Sequence, residues 1–168
     1  GKLPQKLRWF GLENKEDVYA DHLEVLGMER TKCGIHTPEG SFEAVIPMPG
    51  EHMVLNALSA VIVGLEMGMS LAEIKAGIES FVPTKNRMNV MKLDNGITVL
   101  NDVYNANPVS MKASLNILAN AQGRKVAILG FMGELGEQAP QMHEEVGAYA
   151  AKIGVDLLFC IGKLNTYM

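Results

Sequence analysis

The sequence predicts an α/β chain built in two parts, and three local signals carry that prediction. Ser70-Leu71-Ala72-Glu73 reads as a capping box, in which a hydroxyl and a carboxylate satisfy backbone N–H groups reciprocally at a helix start. Asp94-Asn95-Gly96, set between two short apolar runs, reads as a hairpin turn because Asn and Gly tolerate positive φ. Val126–Leu129 and Leu157–Ile161 are continuous apolar runs either side of an amphipathic segment, as expected of parallel strands covered on both faces.

The elements follow in order. Leu7-Arg8-Trp9-Phe10 and Phe42-Glu43-Ala44-Val45-Ile46 are β-like, the second preceded by the turn signal Pro38-Glu39-Gly40, and predict an antiparallel excursion rather than βαβ units. Val54, Leu58, Val61 and Leu65 recur at helical spacing and predict a helix that ends near Gly68. The capping box opens a second helix, with Leu71, Ile74, Ile78 and Phe81 on one face. Val82-Pro83-Thr84-Lys85-Asn86-Arg87 breaks the pattern and is the expected linker between domains.

Beyond it, Asn89–Leu93 and Ile97–Val103 form the hairpin. Asn107 is the expected N-cap of a helix with Pro108 at its first position and Met111, Leu115 and Leu118 as its buried stripe. Val146, Tyr149 and Ile153 mark a last helix, stopped by Gly154. The second part is therefore a hairpin followed by α-β-α-β, an open α/β domain.

At 168 residues, 48% hydrophobic and 20% charged, the composition is globular. A formal charge of −4, with no cluster of Lys or Arg interleaved with aromatics, argues against a nucleic-acid partner. Cys33 and Cys160 are far apart and form no C-x-x-C, which predicts a reduced, cytoplasmic protein. No apolar run reaches the roughly 18 residues of a membrane span, and Gly1-Lys2-Leu3-Pro4 starts no signal peptide. The missing initiator Met and the stop soon after a strand-like run predict a piece of a longer chain.

The stretch most concerned with function is Asp102-Val103-Tyr104-Asn105-Ala106-Asn107-Pro108-Val109-Ser110-Met111, which places a carboxylate, a phenol and two carboxamides at a strand-to-helix joint. Open α/β sheets hold their ligands at such joints. Asp102 can accept hydrogen bonds from a ribose diol, and Asn105 and Asn107 offer donors and acceptors; equally, Asn107-Pro108 can be only a cap and Asp102 only a turn residue. His52 and Asn56, four apart, share a face one turn into the first helix. Arg87 can offer its planar fork to a phosphate, or be a surface charge. Gly130-Phe131-Met132-Gly133-Glu134-Leu135-Gly136 permits close backbone approach but is not a dinucleotide fingerprint. His143, with Glu144 and Glu145, lacks a second ligand cluster and is expected to be structural. No G-x-x-x-x-G-K-[ST] phosphate loop is present.

Taken together, Gly50-x-His52-x-x-x-Asn56-Ala57-Leu58-x-Ala60, Arg87, Asp102-Val103-Tyr104-Asn105-Ala106-Asn107-Pro108-x-Ser110-Met111 and Gly130-x-Met132-x-Glu134-Leu135-Gly136 with His143 resemble the Mur ligases over essentially the whole chain. Tyr104–Pro108 resembles the branch that adds D-alanyl-D-alanine to UDP-N-acetylmuramoyl-tripeptide. The resemblance implies that residues 1–83 are the end of the family's central ATPase domain and residues 84–168 the start of its Rossmann-like C-terminal domain. It also implies ATP and Mg2+ as cofactors, with the P-loop lysine and magnesium ligands outside this stretch, and a monomeric whole enzyme in peptidoglycan synthesis.

Carried over by position, Asn56 would sit at the adenine, Arg87 at the phosphates, Asp102 at the ribose, and Tyr104, Asn105 and Asn107 along the nucleotide's edge, with His52 also among the nucleotide-binding residues. No residue of this stretch is carried over as catalytic. Met53 replaces a carboxamide and Phe131 a carboxylate common in the family. A folylpolyglutamate synthase-like ligase and a non-catalytic nucleotide-binding module are the alternatives, the second favoured by Phe131 and the missing phosphate loop.

Overall fold

The computed structural model describes residues 5–168, and the chain divides into two compact units, Gly1–Val82 and Pro83–Met168. In the first unit, β1 (Phe10–Gly11), β2 (Val18–Leu26), β3 (Arg30–Thr37) and β4 (Gly40–Ile46) form one sheet in sequential order, followed by α1 (Glu51–Glu66) and α2 (Leu71–Glu79). The β2–β3–β4 ladder is antiparallel, whereas β1 runs parallel to β2 through Phe10 and Gly11 alone. Leu7, Arg8 and Trp9 lie outside any strand, and the Asp17 carboxylate accepts from the Trp9 amide at 2.8 Å. The extended segment expected at 7–10 is thus reduced to its last residue.

Alternation places Val18, Ala20, Thr31, Cys33, Ile35, Ala44 and Ile46 inside. On the other face Tyr19 stacks on the His36 ring, whose Nδ1 lies 2.9 Å from Ser41 Oγ and whose Nε2 lies 2.9 Å from Asp21 Oδ1. Gly34 makes this row possible, because a Cβ there would fall 2.6 Å from Asp21 Oδ1.

Val54, Leu58 and Val61 bury the inner stripe of α1. The start of that helix is tied to β3 by the buried Thr31 hydroxyl, which donates to Met48 O at 3.1 Å and accepts from Gly50 N at 3.0 Å. In α2 both bonds of the capping box form, and Ile74 and Ile78 are buried. Phe81 does not complete that stripe: it lies two residues past the helix end and is 48% exposed. Pro83 disfavours helical backbone at Val82, so the helix stops before Phe81 can face inward.

In the second unit β5 (Asn89–Lys92) and β6 (Thr98–Asn101) form the antiparallel hairpin, closed by Gly96 N donating to Leu93 O and Leu93 N to Ile97 O, with Gly96 at φ 81°. There follow α3 (Pro108–Ala119), β7 (Val126–Gly130), α4 (Ala139–Lys152) and β8 (Leu157–Ile161), with β7 and β8 parallel. Met111 and Leu115 from α3, Ala127, Met132, and Val146 and Ala150 from α4 make the core.

The expectation that both faces of the parallel strands are covered does not hold within this chain. Ala127, Leu129 and Leu158 pack against the core, but Ile128, Phe159 and Ile161 are 64%, 49% and 60% exposed. Among the described residues, α3 and α4 supply packing to one face only. No helix of the described residues is long and apolar enough to cross a membrane.

Candidate functional site

Strand β6 ends at Asn101, so Asp102 leaves the ladder and its carboxylate is available to the joint with α3. Both of its oxygens are engaged: Met88 N donates to Oδ1 at 3.3 Å, and the Ser114 hydroxyl donates to Oδ2 at 2.7 Å. An ionised carboxylate offers about four lone-pair positions, so about two remain for ligand hydroxyls. Asp102 is half-buried, while Val103, Tyr104 and Asn105 beside it are exposed.

Arg87 is brought to the same place. Its guanidinium carbon lies 4.1 Å from the centroid of the Tyr104 ring, a cation–π contact. The backbone on either side is unusual: Asn86 has φ 63° and Met88 φ 52°, and neither is glycine. Left-handed backbone at a non-glycine residue costs on the order of 1–3 kcal/mol and persists where surrounding contacts over-determine it. Those contacts are present here. Tyr104 N donates to Asn86 O and Asn101 Nδ2 to Asn86 Oδ1, each at 3.2 Å, and Met88 is buried.

Asn107 caps α3 through Oδ1, which accepts from Ser110 N at 2.9 Å, and the Ser110 hydroxyl accepts from Asn107 N, a reciprocal box. Its Oδ1 is committed to Ser110 N, so Asn107 is first a cap, with Nδ2 and the second lone pair of Oδ1 left for a ligand. Asn105 turns its Oδ1 onto Ala106 N at 2.9 Å. Arg87, Asp102 and Tyr104 thus gather around one turn, with Asn105 and Asn107 along the rising edge of the helix.

The glycine loop after β7 is held by His143, which is fully buried in α4. Met132 N donates to His143 Nε2 at 3.0 Å, so that nitrogen carries no hydrogen, and Nδ1 donates to Ala139 O at 2.6 Å. The imidazole is a structural bracket, as expected. Among the described residues no group of three His, Cys, Asp or Glu side chains converges as metal ligands.

In the first unit, Asn56 lies on the wall of an apolar cavity of about 330 Å³ bounded by β4, α1 and α2, with Met53, Ala60, Met69, Ile74 and Phe81 among its lining. Asn56 Nδ2 donates to Met53 Sδ at 3.5 Å, which leaves the carbonyl oxygen and the second amide hydrogen for a ligand. His52 is half-buried in the first turn of the same helix. An apolar slot with one carboxamide at its rim suits a flat heteroaromatic ring.

Sequence reasoning missed Asn86, Met88 and Ser114. Asn86 carried a signal, since Asn tolerates left-handed backbone; Met88 and Ser114 carried none.

Residues 86–167 match a family model described as Mur ligase, glutamate ligase domain. The UDP-N-acetylmuramoyl-tripeptide–D-alanyl-D-alanine ligase of Buchnera aphidicola subsp. Baizongia pistaciae is 32% identical over 163 residues, which are 97% of this chain and 35% of that one. A crystal structure of MurF from Acinetobacter baumannii matches with a TM-score of 0.88 at 34% identity, covering 94% of this chain and 34% of that one. A MurF ligase from Thermotoga maritima in complex with ADP matches with a TM-score of 0.81 over 95% of this chain and 36% of that one; at 22% identity it shows the fold alone. The chain spans about a third of the length of the relatives it matches.

Proposed function

The chain belongs to the Mur ligase family, and from that premise we propose that it is part of an ATP-dependent ligase that joins D-alanyl-D-alanine to UDP-N-acetylmuramoyl-tripeptide in peptidoglycan synthesis. Residues 1–83 are the end of the ATP-binding central domain and residues 84–168 the start of the C-terminal domain. The cluster of Arg87, Asp102 and Tyr104 at a strand-to-helix joint carries this reading. A fixed cation suits phosphate oxygens, and a carboxylate with unused lone pairs suits a ribose diol.

In that reaction the tripeptide carboxylate attacks the γ-phosphorus of ATP, releasing ADP. The dipeptide amine then attacks the carbonyl carbon of the acyl phosphate, and inorganic phosphate leaves as the amide forms. The residues of this chain bind and orient rather than react. Arg87 neutralises phosphate charge, Asp102 holds the ribose hydroxyls, and Asn56 with His52 meets the adenine at the apolar slot. Tyr104, Asn105 and Asn107 bound the nucleotide's edge. Among the described residues no group of three His, Cys, Asp or Glu side chains converges on a metal position, and the roles of this chain are those of binding and orientation.

The test uses the full-length gene product. Phosphate release from ATP is expected to require UDP-N-acetylmuramoyl-tripeptide and D-alanyl-D-alanine together. ATP binding with no release under any pairing of substrates would overturn the reading in favour of a non-catalytic nucleotide-binding module.

A further inference from the structure

We propose that Ser114 is a positioning residue of the nucleotide site, acting through Asp102 on both the ribose contact and the turn that presents Arg87; this rests on the reading of Asp102 and Arg87 as nucleotide contacts. Ser114 stands in the middle of α3, twelve residues beyond Asp102, and its side chain is half-buried against Met88, the residue before β5.

The geometry is a latch with three members. The Ser114 hydroxyl donates to Asp102 Oδ2 at 2.7 Å, the shorter of the two bonds the carboxylate accepts, and lies 3.6 Å from the sulfur of buried Met88. The other carboxylate oxygen accepts the Met88 amide at 3.3 Å. One carboxylate therefore ties α3 to the backbone immediately after Arg87.

That tie acts on a segment that needs it. Arg87 is flanked by Asn86 and Met88, both left-handed, and a chain released there relaxes toward ordinary backbone. Tyr104 N and Asn101 Nδ2 hold the Asn86 side, whereas on the other side the Met88 amide is held by Asp102 and the Met88 sulfur lies against the Ser114 hydroxyl. Without the Ser114 hydroxyl the carboxylate is free to turn about its terminal torsion, which is broad and roughly two-fold. The Met88 amide then loses a fixed acceptor, Arg87 loses its register over Tyr104, and the lone pairs left for the ribose lose their direction. A hydrogen bond to an ionised group is roughly twice as strong as a neutral one, so Ser114 is a better anchor for this purpose than a neutral pair.

The experiment is a double-mutant cycle on the full-length enzyme, with Ser114→Ala, Ser114→Thr, Asp102→Ala and the Ser114→Ala/Asp102→Ala pair. The readouts are KM for ATP, KM for the dipeptide and kcat. Ser114→Ala is expected to raise KM for ATP about 5- to 20-fold, the loss of one charge-assisted hydrogen bond, and to leave KM for the dipeptide within about twofold. Ser114→Thr, which keeps the hydroxyl, is expected to restore most of the ATP affinity. In the Asp102→Ala background the Ser114 substitution is expected to add nothing, because the carboxylate it acts through is gone.

If Asp102→Ala raises KM for ATP while Ser114→Ala does not, or if the two effects multiply, Ser114 has no positioning role. If Asp102→Ala itself leaves KM for ATP unchanged, the nucleotide reading of Asp102 fails first, so the two failures are distinguishable. Should Ser114→Ala not fold, Ser114→Cys removes the strong donor at nearly constant volume and decides the same question.

Discussion

The guanidinium of Arg87 rests on the face of Tyr104, 4.1 Å from its ring centroid, while the amide of that same tyrosine donates to the carbonyl of Asn86. One residue thus holds the arginine by its ring and holds the preceding turn by its backbone. Tyr104→Phe keeps the ring and is expected to leave KM for ATP within about twofold. Tyr104→Ala keeps only the backbone bond and is expected to raise it about 2- to 5-fold, the loss of roughly 0.5–1 kcal/mol from a cation–π contact at an exposed site. Equal effects of the two substitutions in steady-state kinetics would show that the hydroxyl, not the ring, matters.

His143 brackets the glycine loop to α4 through both ring nitrogens. His143→Leu leaves Met132 N without its acceptor in a buried setting and removes the ring's bond to Ala139 O, and is expected to cost on the order of 2–4 kcal/mol in urea unfolding. A chelator is expected to leave the unfolding midpoint of the parent protein unchanged. A midpoint that falls with chelator would mean that His143 binds a metal instead.

The capping box of α2 predicts a pH signature. The Ser70 hydroxyl, and after it the Ser70 backbone N–H, hold the Glu73 carboxyl below its ordinary value. A carboxylate lowered in the folded state contributes stability that is complete above its ordinary pKa and lost as pH falls through the lowered one. Ser70→Ala is therefore expected to destabilise the protein at neutral pH, with a difference from the parent that narrows as the pH falls below the usual carboxylate range. Thermal melts across that range would reveal a constant difference if Glu73 plays no part.

The two cysteines are expected to differ sharply. Burial, and then the negative charge of Asp21, push the Cys33 thiol up to about 11, so at pH 8 it stays a protonated, inaccessible thiol. Cys160 is exposed. An aromatic disulfide reagent at that pH is expected to titrate one thiol in the native protein and two in urea. Rapid reaction of both without denaturant would mean that β3 is not covered as described.

Local signals carried much of the fold into the sequence. The Ser70–Glu73 box, the Asp94–Gly96 turn and the Asn107-Pro108 helix start each depend on residues within four positions, and each forms as read. Strands β2 and β3 were less legible because the ladder shifts register between Asp21 and Glu24, with His22 at φ 49°, which breaks the period-2 pattern that marks a strand. Phe81 looked like a core residue by its spacing alone, until Pro83 cut the helix short.

The site divides in the same way. Asp102 and Tyr104 announce themselves as polar residues at a joint, but nothing in the sequence of α3 separates Ser114 from a serine facing solvent. Its meaning comes from a pairing across twelve residues, set by how the helix packs on the hairpin. The backbone strain around Arg87 is likewise a tertiary fact, since Met88 has no intrinsic taste for left-handed φ.

The acceptor amine tests the central claim most directly. Full-length enzyme given ATP, UDP-N-acetylmuramoyl-tripeptide and an equimolar mixture of D-alanyl-D-alanine, D-alanine and L-glutamate is expected to yield, by mass spectrometry, one product heavier by the dipeptide less water. A product carrying a single amino acid would contradict the assignment to the dipeptide-adding ligases.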